Sequence, residues 1–523
     1  MASSSSSSSS GNGGDGSPKP DASEFTNETT PLLAVSPVAM TADSNVASAL
    51  VEGSESHHPL LAKPEDKPLP KMQIFFLCYA RLIEPIAFFS IFPYINQMVQ
   101  ENGNLDEVDV GFYGGLIESL FSLTQMLVLL LWGRAADRWG RKPVLVLSLV
   151  GIAVSTSFFG LSRSIGQMIV LRCLAGVFAG TIVTIRTMIA EHSTPRTQAR
   201  SFSWFAFSGN LGIFFGPLIG GALADPAHQY PNVFGGVPFF EEYPYALSSI
   251  VVGCVGLTAV VTSAVFIDET LPKTRKAASG SDDNEANTPP KPAISTLDLL
   301  KAPGVGIVLH NYGHAMLLGL AYSAIVPVFW FTTPALGGFG FSPLQISLFL
   351  CLTGFGQALW LLLAFPPLQH RFGTNGVLRA CGIAYPFFMI IMPLLNLLLV
   401  QGTHAADIAF WVLTSATLVA GTGVSMSFTA VQLALNDVSP SPEILGTLNA
   451  LALTIVSGLR AFSPILFTSL FAIGIKQHIF WGYLVWLVLT VIAVGFTVAT
   501  RFLPAASEKD YDREAVEPEQ GQE

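Results

Sequence analysis

Six ionisable side chains stand inside otherwise apolar stretches: Arg81, Glu84, Glu118, Arg172, Arg186 and Arg460. A charge in hydrocarbon costs at least a few kcal/mol unless it is paired or hydrated, so such residues mark ion pathways. Arg81 and Glu84 are three residues apart, share a face if helical, and can form an internal pair. A carboxylate that meets water on two sides in turn can carry a proton, and an arginine that approaches and leaves it changes its proton affinity in step. Glu84 or Glu118 suits the carrier role and Arg172 the second role; the spacing does not choose between the two glutamates. A static Arg81–Glu84 pair that only fixes helix register is the competing reading.

His310 and His314 are four apart with Asn311 between them, a spacing that can ligate a metal on one helix face. No third Cys, His or carboxylate stands close in sequence, so no metal is expected, and these three join Arg186, Gln357 and Arg460 as candidates for a polar cavity lining. Phe88, Tyr322, Trp330, Phe331, Trp360 and Tyr385 could form an adaptable apolar pocket, or simply pack. The five cysteines, Cys78, Cys173, Cys254, Cys351 and Cys381, are scattered singly through apolar runs, without metal-site or disulfide spacing. There is no phosphate-binding loop, no nucleophile elbow and no HExxH, so neither an enzyme nor a cofactor is expected.

The elements that must position these residues follow from composition. The chain of 523 residues is 50% hydrophobic and 12% charged, about half the charge of a soluble domain, which argues for an all-α integral membrane protein. The net charge of −10 comes with acids gathered in tails and loops and no basic stripe, so nucleic acid is not expected as a partner. Apolar segments long enough to cross the bilayer lie near 72–98, 108–132, 143–162, 165–190, 200–224, 245–267, 305–332, 343–368, 377–400, 407–432, 444–472 and 478–503. Residues 1–71, which open on a serine run, read as a disordered tail, with no signal peptide and the first apolar segment retained as an anchor. Residues 268–304 are charged, Pro-rich and aperiodic and read as a central loop, and 504–523 as an acidic tail.

Arg134, Arg138, Arg141, Lys142, Arg196, Arg200, Lys273, Arg275, Lys276, Lys291, Lys301 and Arg371 fall in alternate loops, the opposite loops holding little beyond Arg163 and Lys476. The excess of Lys and Arg on one side places both termini in the cytosol. A weak internal repeat relates "GFYGGLIESLFSL…GRAADRWGRK" to "GFSPLQISLFLCL…PPLQHRFGTN", setting His370, Arg371, Phe372 and Gly373 at the places of Asp137, Arg138, Trp139 and Gly140.

The stretch "GRAADRWGRK", Gly133 to Lys142, fits the pattern G-x-x-x-D-R-x-G-R-R/K and resembles the signature of the major facilitator family. "LRCLAGVFAG", with Arg172 and Gly176, and "GNLGIFFGPLIGGAL", with Gly212, Gly216, Pro217, Gly220 and Gly221, resemble two further signatures of that family, the last that of its proton-coupled drug exporters. The run from "RTQARSFSWFAF" through "YPYAL" and "DETLPK" looks like the zinc-induced-facilitator-like and tetracycline-exporter-like branch, and "RLIEPIAFFSIFPYI" is similar to its fungal members. Asp137 can accept from a neighbouring helix N-terminus or pair with Arg138 or Arg141. The glycines of span five form a small-residue face for close helix approach, and Pro217 bends that helix.

The resemblance implies twelve transmembrane helices in two six-helix pseudo-symmetric bundles, residues 72–267 and 305–503. It implies that Gly133, Asp137, Arg138, Gly140, Arg141 and Lys142 form a conformational latch, and that the span-five glycines with Pro217 form a hinge or seal. The implied activity is secondary transport by alternating access: proton-coupled antiport, for export or vacuolar sequestration, of a small organic molecule, drug or metal chelate. A proton symporter, a uniporter and a non-transporting receptor on the same fold are the alternatives. Small-molecule substrate, protons and the lipid bilayer are the expected partners, and a monomer the expected state. "ETTPLL", with Glu28, Leu32 and Leu33, fits an acidic dileucine pattern read by sorting adaptors, which favours a vacuolar or endosomal membrane over the plasma membrane.

Overall fold

A computed structural model describes residues 69–271, 302–438 and 442–504. The expected tails beyond these limits, the sorting pattern at Glu28, Leu32 and Leu33, and most of the central loop lie outside the described residues. Regular structure among the described residues is helical: α1 (Lys71–Phe89), α2 (Ile95–Gly103), α3 (Glu107–Trp139), α4 (Arg141–Phe159), α5 (Ile165–Phe178), α6 (Thr181–His192), α7 (Pro195–Ala222) and α8 (Ala246–Phe266). These are followed by α9 (Val305–Phe331), α10 (Pro343–Leu359), α11 (Phe365–Gln401), α12 (His404–Gly421), α13 (Met426–Asp437), α14 (Pro442–Lys476) and α15 (Leu484–Ala499).

Eleven helical runs among the described residues are long and apolar enough to cross a membrane. One of them, Pro343–Gln401, has 59 residues, roughly 88 Å at 1.5 Å per residue and well beyond one bilayer. It holds the expected eighth and ninth spans, α10 and α11, with the helical path broken at Gly373 (φ 69°, ψ 168°). Gly140, its counterpart in the repeat, breaks the chain between α3 and α4 in a related conformation (φ 114°, ψ 152°). Only glycine adopts such angles freely, so the degenerate second copy keeps the one residue its turn requires.

Spans one, four and ten are interrupted, and span eight widens to a π-helical turn over Trp360–Ala364. Span one stops at Phe89 and resumes at Ile95, because Pro93 lacks a donor and disfavours helix at Phe92. Span four breaks at Ala179–Gly180, and span ten narrows to a 3₁₀ turn over Thr422–Ser425. Spans four and ten occupy matching places in the first and last six spans.

The outward faces are apolar. Leu127, Leu130 and Leu131 on α3, Val261 and Val265 on α8 and Val491 on α15 are exposed, as suits a chain whose solvent is hydrocarbon. The first and last six spans meet along α3 against α14 and α7 against α10.

Candidate functional site

The break in span four gathers several polar groups in the interior. Gly180 sits so close to Trp132 that a Cβ would lie 2.4 Å from the Trp132 ring. The interruption leaves carbonyls without their helical partners, and broken backbone is tolerated in a bilayer only where other groups satisfy it. Trp132 Nε1 donates to the Val177 carbonyl, and Gln125 Nε2 to that of Ala179 at 3.0 Å. The same Gln125 nitrogen lies 2.7 Å from Glu84 Oε1, and the Thr181 hydroxyl, at the restart of the helix, donates to Glu84 Oε2. The hydrogen bonds to Glu84 thus come from spans two and four. Arg81, the partner suggested by spacing, feels the Glu84 charge without a hydrogen bond to it and lays its guanidinium over Phe205 at 5.1 Å, and Arg186 approaches the same ring at 5.2 Å.

A second pair of arginines shares another ring. Arg172 lies 5.0 Å from the Phe88 ring and 4.5 Å from that of Phe121, and donates to the Phe88 carbonyl at 3.1 Å. Arg460, from span eleven, lies 4.7 Å from the Phe88 ring. The quadrupole of an aromatic face attracts a cation, but it uses none of the guanidinium donors. Glu118 is 6% exposed and acts electrostatically on Arg172. Among the described residues it accepts no hydrogen bond.

Beside this cluster lies a partly open cavity of about 120 Å³. Phe89, Phe92 and Pro217 line it from the first six spans, and Tyr322, Gln357, Tyr385 and Phe388 from the last six. Thr422 and Ser425 of the span-ten turn also face it. Of the residues singled out in the sequence, Gln357, Tyr322 and Tyr385 face this cavity, and Phe88 packs on Phe92 in the cavity wall, ring centroids 5.3 Å apart. His310 and His314 do not. They line a separate groove between α9, α14 and α15, because the face of α9 that carries them turns away from the first six spans. His314 Nε2 lies 2.8 Å from the Ile492 carbonyl, and Asn311 donates to the Ile307 and Ala499 carbonyls. Trp330 is fully buried and Trp360 donates to the Val419 carbonyl at 2.8 Å, so both serve packing.

The glycines of span five press α7 onto α1. A Cβ on Gly212 would lie 2.7 Å from the Leu82 carbonyl oxygen, on Gly216 3.0 Å from Phe89 Cβ, and on Gly220 1.8 Å from the Ser90 oxygen. Gly221 faces the other way, against Ser347 and the Pro343 carbonyl of α10. The carbonyl of Pro217 accepts from the Ser347 hydroxyl at 2.7 Å.

Contacts between the first and last six spans gather toward the end of α3 that carries Glu107 and Asp109. Glu107 accepts from Thr333, Asp109 pairs with Lys476 at 3.2 Å, and Ser119 accepts from the Ile465 amide at 3.0 Å. At the opposite end, the signature stretch bonds within the first six spans. Of the two arginines open to Asp137 it takes Arg141, which also reaches Glu191 at 3.2 Å. The N-terminus of α4 is capped by Glu269, which accepts from the Arg141 amide at 2.8 Å and the Lys142 amide at 3.2 Å. Gly133 packs near Val183, while Asp137 and Arg138 are exposed.

Sequence reasoning passed over Gln125, Thr181, Phe205, Glu191 and Glu269. Gln125 carried a signal: it follows Glu118 by seven residues, two helical turns along one face.

Comparisons with known proteins agree with this geometry. A family model described as Major Facilitator Superfamily matches residues 77–464. The efflux pump azaK of Aspergillus niger is 46% identical over 451 residues, 86% of this chain and 92% of that protein. The Arabidopsis thaliana protein ZINC INDUCED FACILITATOR 1 is 28% identical over 341 residues, 61% of this chain and 70% of its own. Among solved structures, a D-xylose-proton symporter superposes with a TM-score of 0.64 at 13% identity, covering 84% of this chain and 99% of its own. A family match over most of the chain, together with a relative this similar along nearly its whole length, leaves one conclusion: the chain belongs to the Major Facilitator Superfamily and is a multi-pass membrane transporter of small molecules.

Proposed function

We propose that the protein is a proton-coupled antiporter that moves a small organic molecule out of the cytosol, across the plasma membrane or into a vacuolar or endosomal lumen. The observation that carries this reading is the pair of buried carboxylates, Glu84 and Glu118, beside the arginines of the first six spans and next to a cavity shared by both halves. An exchanged proton needs a carboxylate whose charge is compensated in one state and exposed in another, and Arg172 beside Glu118 supplies that compensation. The efflux pump named above and a multidrug transporter of Aspergillus fumigatus, mfsB, 28% identical over 484 residues, support the exporting direction.

The two six-helix bundles, residues 72–267 and 305–503, act as the rocking units, and the chain works as a monomer with both termini cytosolic. In that orientation the contacts through Glu107, Asp109 and Lys476 close the extracytosolic end, and the cavity faces the cytosol. The latch Gly133, Asp137, Arg138, Gly140, Arg141 and Lys142 is then disengaged from the second bundle, its ion pairs kept within the first. Closing the cytosolic end would bring the exposed Asp137 and Arg138 against that bundle. Ligand or proton must favour one opening over the other, or no coupling results.

Substrate-driven proton movement in proteoliposomes tests the reading, with Glu84→Gln and Glu118→Gln beside wild type. Protons moving opposite to substrate, with coupling lost in one Gln variant that still binds, is the expected result. Protons moving with substrate would make the protein a symporter, and substrate flux without protons a uniporter.

A further inference from the structure

Three buried charged groups have no hydrogen-bond partner among the described residues: Arg81, which lies over Phe205, and Arg460 and Glu118, which lie beside Phe88 and Arg172. Arg460 is 9% exposed and its Nε is fully buried without an acceptor. The charge of Glu84 acts on Arg460, but a guanidinium has five N–H donors, and burial without acceptors for them is costly unless an anion completes it. Glu118, 6% exposed, accepts no hydrogen bond, while Glu84 is already held by Gln125 and Thr181. Arg172 lies within electrostatic reach of both Arg460 and Glu118. Ser119, next to Glu118, bonds the backbone amide of Ile465, little more than one helical turn from Arg460. Arg172 stands between them, acting on Glu118 and sharing the Phe88 ring with Arg460. The acids cannot neutralise the site alone, since Arg81, Arg172 and Arg460 are buried against only Glu84 and Glu118.

Resting on the reading of the protein as an antiporter, we propose that its ligand is a zwitterion: an apolar, aromatic body with a carboxylate bound by Arg460 and Arg172 and a protonated amine bound by Glu118. The chemistry accounts for Arg460 and Glu118 and for the direction of coupling. An ammonium at Glu118 takes the place of a proton there, so ligand and proton exclude one another and the displaced proton leaves to the water that the cavity faces. A ligand with only a carboxylate would bind best with Glu118 protonated and would travel with the proton. The apolar body would rest in the adjoining cavity, on Phe89, Phe92 and Phe388.

Binding to the purified full-length protein in nanodiscs tests this with three indoles that differ only in charge: L-tryptophan, tryptamine and indole-3-propionate. L-tryptophan should bind roughly tenfold or more tighter than either of the others. Arg460→Gln should reduce it to the level of tryptamine, Arg460→Lys should keep most of the preference, and Glu118→Gln should reduce it to the level of indole-3-propionate. The wild-type ranking needs no substitution, so an unstable variant does not blunt the test. Tryptamine or indole-3-propionate binding as tightly as L-tryptophan, or none of the three binding at millimolar concentration, would overturn the proposal. A failed ranking with substrate-driven proton counterflow intact removes the ligand class alone. A correct ranking without counterflow removes the antiport reading instead.

Discussion

Gln125 Nε2 lies 2.7 Å from the carboxylate of Glu84 and 3.0 Å from the carbonyl of Ala179, tying a charge on span one to the break in span four. Gln125→Leu should therefore remove two buried hydrogen bonds at once, destabilising the protein by about 1–3 kcal/mol. Thr181→Val, which removes one bond to Glu84, should cost less. Thermal unfolding in detergent measures both, and proton flux in the same variants should fall in the same order. Equal stability of Gln125→Leu and wild type would show that the break is held by packing against Trp132 instead.

Gly220 and Gly221 are neighbours on α7 with different duties. An alanine Cβ at Gly220 would press on the Ser90 backbone, within the first six spans, and should lower stability by about 1–3 kcal/mol without favouring either opening. At Gly221 it would meet Ser347 and Pro343 across the halves and should instead shift the population away from this closure. Labelling of a cysteine placed at Asp109 should then rise several-fold in Gly221→Ala and stay unchanged in Gly220→Ala.

Gly140→Ala faces two obstacles: a backbone φ of 114° and a Cβ 2.5 Å from Glu269 Oε2. Gly373→Ala faces only the backbone, at φ 69° with open space around it. Strain at such angles costs of order 1–3 kcal/mol, and the first variant should lose more than the second. Because Glu269 caps α4, Gly140→Ala should also loosen the start of the central loop, which limited proteolysis would detect.

His228 sits in a one-turn helix after span five, Pro226–Gln229, its imidazole 2.8 Å from Asp225. That hydrogen bond and the aspartate charge raise its pKa above the ordinary histidine value. Whatever stability the pair contributes is therefore complete below about pH 6.5, the ordinary value, and is lost as the pH rises through the higher folded value. Titration of the His228 ring signals by NMR should show the raised midpoint, and Asp225→Asn should bring it down. An unchanged midpoint in that variant would mean that the pair does not form.

Much of this architecture is written along the chain. A segment's crossing of the bilayer depends on its own apolar length, and a turn's direction on a glycine such as Gly140 or Gly373, so spans, signatures and buried charges are local properties that spacing reveals. What each buried charge meets is another matter. Arg81 and Glu84 are ideally spaced to pair, yet Glu84 is held by Gln125 and Thr181, 41 and 97 residues away in sequence. His310 and His314 share a helix face that packing turns toward a lateral groove, and Glu269 reaches across 128 residues to cap α4. Helical periodicity assigns each residue a face, but only the packing of distant helices decides what that face touches, because hydrogen bonds and ion pairs act over a few ångströms between segments whose separation along the chain carries no record of their approach.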